Sequence, residues 1–414
     1  MAAIFQDLAR MSSKTKTTSA KEDGNPALVP KLRFPEFREA EGWEIGKVDE
    51  LVDTVTPPKK LPTSHYASKG AFPIIDQSQA DICGWTDDHE ALIQGDLPFI
   101  IFGDHTCILK LIDRPFAQGA DGIKILKSRP KVGTPFLYQY LTYRPVVTEE
   151  YKRHYSILKE KLVSFPDPKT GEQKKIAECL SSVDELIAAQ GRKVDALKAH
   201  KKGLMQQLFP REGETQPRLR FPEFKNVGEW EVKRLSGMID LISGMHLSPG
   251  DYSTAGEIPY FTGPSDFTND LANVTKWTKR TANVSQTDDT LITVKGSGVG
   301  EIWYSTLPEV AMGRQLMAVR SKNGSSRFMF QFLLTKRSRF EDLGSGNLIP
   351  GLSRPVILDL EACFPKPPEQ QRIADCLTSL DDLVAAQTKK LDVLKTHKKG
   401  LMQQLFPSPM EVEA

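Results

Sequence analysis

Long hydrophobic runs are missing from this sequence: no apolar stretch approaches the roughly 18 residues that a membrane-spanning helix requires. The first ten residues lack the basic head, apolar stretch and cleavage site of a secretory signal. Cysteine is sparse and scattered. Cys83, Cys107, Cys179, Cys363 and Cys376 form an odd set with no CxxC pair, which excludes a disulfide framework and zinc-finger spacing. These absences predict a cytoplasmic chain with reduced thiols, no membrane partner and no structural metal. Excess charge is absent as well. A formal net charge of +2 excludes a histone-like binder driven by bulk charge, but not a locally basic surface on a near-neutral molecule.

Catalytic signatures are also missing. No Asn-Pro-Pro-aromatic run for amino methylation of a base is present; the most similar string is Lys366-Pro367-Pro368-Glu369. There is no Walker pattern, no HExxH and no nucleophile elbow. Gly296-Ser297-Gly298-Val299-Gly300 has the glycine density of a nucleotide loop, but it lacks a GK[ST] ending and a following helix signal. Ile302-Trp303-Tyr304 predicts a strand instead, so a hairpin tip whose glycine amides touch a phosphate backbone fits better. Asp104-His105 and Asp87-Asp88-His89 are isolated acid–histidine strings of a kind that arises by chance. No catalytic residue, no metal ligand and no cofactor on this chain are therefore expected.

What the sequence does have is an internal repeat. Leu32-Arg33-Phe34-Pro35-Glu36-Phe37 returns unchanged as Leu219-Arg220-Phe221-Pro222-Glu223-Phe224, and Trp43-Glu44 returns in register as Trp230-Glu231. Residues 176–210 match 373–407 without a gap at roughly 25 of 35 positions, and the last eleven of them are identical. Between these copies, residues of about 45–165 and 232–363 share little. A faint alignment sets Phe72-Pro73-Ile74 against Ile258-Pro259-Tyr260, Gly103 against Gly296, and Gly119 against Gly313. The chain thus alternates variable and constant: two similar folds with different surfaces, each followed by the same scaffold element.

The constant elements carry a heptad seam. Ile176, Leu180, Val183, Ile187, Gln190, Val194, Leu197, Lys201, Leu204 and Leu208 alternate steps of four and three. The second copy repeats it with Ile373, Leu377, Leu380, Val384, Gln387, Leu391, Leu394, Lys398, Leu401 and Leu405. No proline interrupts either seam, and Pro210 and Pro407 end them. At about 1.5 Å per residue each helix spans roughly 50 Å. One such helix cannot bury its stripe alone; two can bury each other, and an antiparallel pair would set the two domains at opposite ends. Gln190 with Gln387, and Lys201 with Lys398, are polar seam residues of the kind that fix register.

The variable segments predict mixed α/β folds. Pro98 to Gly103 and Thr290 to Gly296 predict strands ending at glycine, and Gly122 to Leu126 and Leu316 to Arg320 the next strands. Phe136 to Leu141 and Phe328 to Leu333 predict short helices. Basic residues gather at expected loop ends: Lys59, Lys60, Lys110, Lys152, Arg153 and His154 in the first segment, Lys276, Lys279, Arg280, Lys336, Arg337 and Arg339 in the second. Any one of these alone is ordinary solvated surface; the cluster suits phosphates, with Arg, Asn, Gln and His reaching base edges. The expected contacts are Lys59, Lys60, His105, Thr106, Arg153, His154 and Tyr155 in the first segment. In the second they are Lys295, Ser297, Arg314, Gln315, Asn347 and Arg354.

The two halves, each a variable domain plus a helix ending in Lys-Lys-Gly-Leu-Met-Gln-Gln-Leu-Phe-Pro, resemble the specificity subunits of Type I restriction-modification systems. The resemblance covers residues 30–407 and is carried most specifically by the lead-ins, by Glu369-Gln370-Gln371-Arg372-Ile373-Ala374 and by the paired helix tails. The first copy has two extra residues in Asp167-Pro168-Lys169-Thr170-Gly171 before its Glu172-Gln173. The resemblance implies a non-catalytic subunit in which each variable domain reads one half of a split site in double-stranded DNA, with the helices setting the spacing. It implies two methyltransferase subunits docked along the helices and motor-nuclease subunits joined through that core. S-adenosylmethionine, ATP and magnesium would belong to those partners. The expected layout is a mobile tail at 1–29, recognition domains at 30–168 and 217–367, and spacer helices at 169–210 and 368–407, with pseudo-twofold symmetry. The competing reading is a coiled-coil scaffold that holds two partner-binding domains and touches no DNA.

Overall fold

The computed structural model describes residues 28–120, 122–148, 153–279, 283–345 and 351–407. They form two units: one takes residues up to 191 and from 390 onward, the other residues 192–389.

The first unit begins with β1 (Glu44–Lys47), α1 (Val48–Leu51), β2 (Val52–Val55), β3 (Phe72–Ile75), β4 (Gly84–Thr86) and β5 (Leu92–Ile93). It continues through β6 (Phe99–Gly103), β7 (Leu109–Ile112), β8 (Phe116–Gln118), β9 (Ile123–Ser128), α2 (Thr134–Tyr143), α3 (Tyr155–Glu160) and β10 (Leu162–Phe165). An antiparallel sheet runs in the order β2-β9-β6-β7. Its β6 is buried at every residue, as expected for an uninterrupted Phe-Ile-Ile-Phe run between two layers. A second sheet, β4-β3-β8-β5, has β3 and β8 parallel. β1 pairs with β10, so the two ends of the domain meet. Phe136, Leu137, Tyr140 and Leu141 of α2 fill one core with Ile100, Phe102 and Leu126 of the first sheet.

The second unit repeats this plan. It contains β11 (Glu231–Arg234), β12 (Ile239–Ser243), β13 (Tyr252–Ser253), β14 (Ile258–Phe261), β15 (Trp277–Thr278), β16 (Val284–Gln286) and β17 (Thr290–Thr293). There follow β18 (Ile302–Tyr304), β19 (Glu309–Met312), β20 (Leu316–Ser321) and β21 (Glu361–Phe364). The sheet β12-β20-β17-β18 matches β2-β9-β6-β7, the parallel pair β14·β19 matches β3·β8, and β11·β21 matches β1·β10.

Equivalent hydrogen bonds fix the residue correspondence. Gly119 N donates to Ile75 O at 2.9 Å and Gly313 N to Phe261 O at 2.8 Å, so the two glycines are equivalent. Gly103 and Gly296 are not. Gly103 pairs with Ile123 and Thr293 with Leu316, which puts Gly103 at the place of Thr293. The strand expected to reach Gly296 stops at Thr293, because the chain turns there into the glycine-rich tip.

The long helices are α4 (Glu172–Leu208) and, after α5 (Ser326–Thr335), α6 (Arg337–Ser345) and α7 (Arg354–Leu358), the final α8 (Pro367–Leu405). Prolines open α8 without cost, because first-turn amides have no intrahelical partner. Every seam position named from the heptads is buried or half-buried. In the first unit Ile176, Leu180 and Val183 share a core with Leu401, Met402 and Leu405. In the second, Leu208 shares one with Ile373, Ala374 and Leu377. The start of one helix therefore meets the end of the other within each unit, and the pair is antiparallel, as in a two-stranded coiled coil.

The repeated segments are docking parts. Arg33 makes a two-pronged pair with Glu172, at 2.8 and 2.6 Å, and Arg220 does the same with Glu369, at 2.7 Å for each prong. Lead-in and helix tail also meet: Leu32 N donates to Gln404 O and Leu219 N to Gln207 O, each at 2.9 Å. Phe406 packs edge-on against Phe136 and Tyr140, and its counterpart Phe209 lies against Phe328 and Phe332. The seam lysines tie each domain helix to the helix pair. Lys398 Nζ lies 2.7 Å from both oxygens of Asp184, which also accepts from Gln139 Nε2 at 2.9 Å. Lys201 reaches Asp381 at 2.5 Å, and Gln331 reaches the same carboxylate at 2.7 Å.

Candidate nucleic-acid interface

The tip loops between β6 and β7 and between β17 and β18 leave equivalent strands and carry four of the expected contacts, His105, Thr106, Lys295 and Ser297. In the second unit the tip lines a cleft of about 1250 Å³. Lys295, Ser297, Arg314 and Gln315 all line it, so four of the expected contacts converge. Gly300 holds the tip at φ +90°; an added Cβ would meet the Glu341 backbone nitrogen at 3.1 Å, which leaves no room for a side chain. Gly300 N donates to Thr293 O at 2.9 Å and is used within the hairpin. The amides of Gly296, Ser297 and Gly298 donate to no backbone carbonyl among the described residues. The acids of the cleft are partly neutralised, since Arg337 pairs with both Glu301 and Glu341. Lys295 and Arg314 are exposed in the cleft, as is its third acid, Asp342.

Arg354 is displaced from this group. Its Nη1 donates to Leu241 O at 2.7 Å and Ser243 Oγ at 3.1 Å, so it braces β12. Asn347 lies outside the described residues, as do Lys152 and Arg280. Lys276 is paired with Asp266 at 3.0 Å. Burial raises the Asp266 pKa, but hydrogen bonds from Thr262 and Lys276 outweigh it and hold the carboxyl below its usual range. Lys336 is pushed down by burial, with Glu212 opposing and Arg339 assisting.

In the first unit His105 and Thr106 form the tip. Thr106 Oγ1 donates to Gln77 O at 2.9 Å, and His105 N to Gln77 Oε1 at 3.4 Å. Arg153 is exposed. His154, expected at the surface, is only 1% exposed. Its Nδ1 lies 3.1 Å from Asp104 O while Asp104 Oδ1 accepts from Tyr155 N at 2.8 Å, so His154 is a framework residue that starts α3. Tyr155 is half-buried; its hydroxyl bonds Thr54 at 2.8 Å, and Lys124 sits over its ring at 5.3 Å. Lys59 is engaged by Asp88 at 2.6 Å, and that hydrogen bond and charge raise its pKa. Lys60 is exposed beside the strand edge at Gln118. Lys110, expected at a loop end, is in β7 and buried, donating to Asp76 O at 2.9 Å and Ala80 O at 2.5 Å. Burial lowers its pKa.

The Asp87-Asp88-His89 string has structural partners. Asp87 accepts from Ala71 N at 2.8 Å, Asp88 from Glu90 N at 3.0 Å, and His89 stacks edge-on with Phe72. No group of three or more His, Cys, Asp or Glu able to hold a metal occurs among the described residues. No helix among them is long and apolar enough to cross a membrane. Gln77 escaped the sequence reading. It meets the tip loop only because β3 and β6 end side by side, and no local signal marks that.

The chain is thus one α/β domain built twice, each copy docked on its own stretch of an antiparallel helix pair and each presenting a different tip loop. Comparison with known proteins shows what the chain is similar to. Residues 227–396 match the Type I restriction modification DNA specificity domain. The chain is 24% identical over 406 residues to a type I restriction enzyme MjaX specificity subunit of Methanocaldococcus jannaschii, covering 90% of this chain and 95% of that protein. It is 23% identical over 279 residues to the MjaVIII specificity subunit of the same organism, 61% of this chain and 63% of that one. Among solved structures, the S subunit of a Type I restriction-modification system from M. genitalium aligns with a TM-score of 0.64 at 18% identity, covering 89% of this chain and 96% of that one. A chain from a structure addressing complex assembly and conformational transition of the type I R-M system aligns with a TM-score of 0.51 at 17% identity, covering 89% and 98%. Residues 227–396 thus match a Type I restriction modification DNA specificity domain, and over most of its length the chain is similar to specificity subunits of Type I restriction-modification systems.

Proposed function

We propose that the chain reads a bipartite, asymmetric site in double-stranded DNA and, without chemistry of its own, seats two methyltransferase subunits along its helices. Motor-nuclease subunits join through that core, and S-adenosylmethionine, ATP and magnesium are used by the partners, in the cytoplasm. The observation that carries the reading is one topology built twice with unlike tips: Lys295-Gly296-Ser297 with Arg314 and Gln315 in one, His105-Thr106 with Gln77 in the other. Two copies of a framework suit two half-sites, and different side chains at equivalent places suit different bases.

Selection from randomised duplexes, with and without methyltransferase subunits, tests it. Two unlike conserved blocks separated by a fixed gap are expected. No enrichment in either condition would favour a scaffold that does not touch DNA. Incubation of the isolated chain with S-adenosylmethionine and DNA is expected to leave the DNA unmethylated; product would refute the division of labour.

A further inference from the structure

Gln77 and Gln315 are not aligned residues, yet their side chains occupy the same place in the two domains. Because Ile75 matches Phe261, Gln77 stands where the second unit has Gly263. Asp104 N donates to Gly122 O and Val294 N to Gln315 O, each at 2.7 Å, so Gln315 stands where the first unit has Gly122. The glutamine of each domain lies over the glycine of the facing segment. A Cβ on Gly122 would be 2.5 Å from Gln77 Nε2, and a Cβ on Gly263 would be 2.8 Å from Gln315 Oε1. One domain delivers the amide from the segment after β3, the other from the segment before β20, and the opposite position is reduced to glycine each time.

Neither amide is locked into the fold. Gln77 Oε1 accepts only the 3.4 Å bond from His105 N, and its Nε2 donates to nothing among the described residues. The Gln315 side chain makes no hydrogen bond among the described residues and opens into the cleft beside Arg314 and Lys295. A half-buried amide kept at one point, whichever strand carries it, and left with unused donor and acceptor, is suited to a ligand rather than to packing.

We infer that Gln77 and Gln315 are the corresponding base-reading residues of the two domains, each taking the adenine edge that offers N7 as acceptor and N6–H as donor. An amide matches that pair with its own donor and acceptor, whereas a carboxylate can only accept and favours the cytosine amino group. This rests on the DNA-reading proposal above.

The test uses the full chain with its methyltransferase partner and a duplex library randomised in one half-site. Gln315→Ala is expected to lose discrimination at one base pair of one half-site, by roughly 5- to 150-fold. Gln77→Ala is expected to do the same in the other half-site only. Gln315→Glu is expected to move the preference at that base pair from adenine toward cytosine. A rescue separates recognition from packing. Gly263 is extended, at φ −172°, and accepts any residue. Gly263→Gln alone crowds Gln315; combined with Gln315→Gly it rebuilds the first domain's arrangement and is expected to restore adenine discrimination lost in Gln315→Gly alone. Wild-type specificity in the alanine variants, or no rescue in the double variant with folding intact, overturns the inference. Failure of the unaltered complex to select any sequence would instead overturn the DNA-reading proposal itself.

Discussion

Arg33 and Glu172 are each 1% exposed at the side chain, so neither charge has water to fall back on. Removing one partner of such a pair typically costs about 3–5 kcal/mol, because the other stays buried and unpaired. Arg33→Ala is expected to lower stability by that order in urea unfolding. Arg220→Ala should cost less, since Arg220 is 14% exposed and water can reach the site it leaves. The thiol of Cys83 offers a second check at this scale. Burial, with the adjacent Asp76 adding to it, pushes the Cys83 pKa from 9.0 up to about 11. Its thiolate at pH 8 is then about a hundredth that of an ordinary thiol, so iodoacetamide followed by mass spectrometry should leave Cys83 unlabelled while the native fold persists. A half-buried thiol whose pKa is raised contributes stability below the unfolded value of 9.0 that is lost as pH climbs through about 11, so labelling and destabilisation should appear together in that alkaline window. Individual contacts were only partly legible from sequence. Lys295, Arg314 and Gln315 share a cleft as composition near a glycine turn suggested, but His154 and Lys110 look basic and surface-bound as letters and are in fact buried. A one-dimensional string does not say which polar groups a backbone carbonyl will claim.

Among elements, the helices were the most legible because their signal is periodic and self-contained: a seam repeats every seven residues whatever the rest of the chain does. The two-residue strands β5, β13 and β15 carry no such signal and exist only through partners such as β8 and β14. What the heptads left unsaid is how a domain grips its helix pair. Asp184 holds both Lys398 and the buried amide of Gln139, so Asp184→Ala releases two contacts where Lys398→Ala releases one. At about 1.5–3 kcal/mol for each hydrogen bond to a charge, thermal unfolding should rank Asp184→Ala as the more damaging change. Asp381→Ala should likewise outrank Lys201→Ala. Equal losses within each pair would mean that the glutamines contribute only shape.

For the molecule as a whole, the proposed function makes the helices a length standard and the domains separable readers. One added heptad in each helix lengthens the pair by about 10 Å, which is about three base pairs of B-DNA. Methylation footprints are expected to show the same two half-sites with a wider gap. Replacing residues 232–363 with those of a Type I specificity subunit should change one half-site and leave the other; a change in both would refute separate reading. The exchange keeps Arg220 with Glu369 and Leu219 with Gln207, which lie outside the replaced stretch, and requires the incoming domain to supply counterparts of Phe328, Phe332 and Gln331, which dock on Phe209 and Asp381.

Those same docking bonds close a circuit. The first lead-in leads through its domain to α4, whose tail binds the second lead-in, and that leads in turn to α8, whose tail binds the first through Leu32 and Gln404. The order of parts is thus cyclic even though the polypeptide is linear. Opening the chain within residues 211–217 and joining 407 to 28 by a short linker would keep every one of these bonds. Such a permuted gene would write the same protein from the other side of the circle.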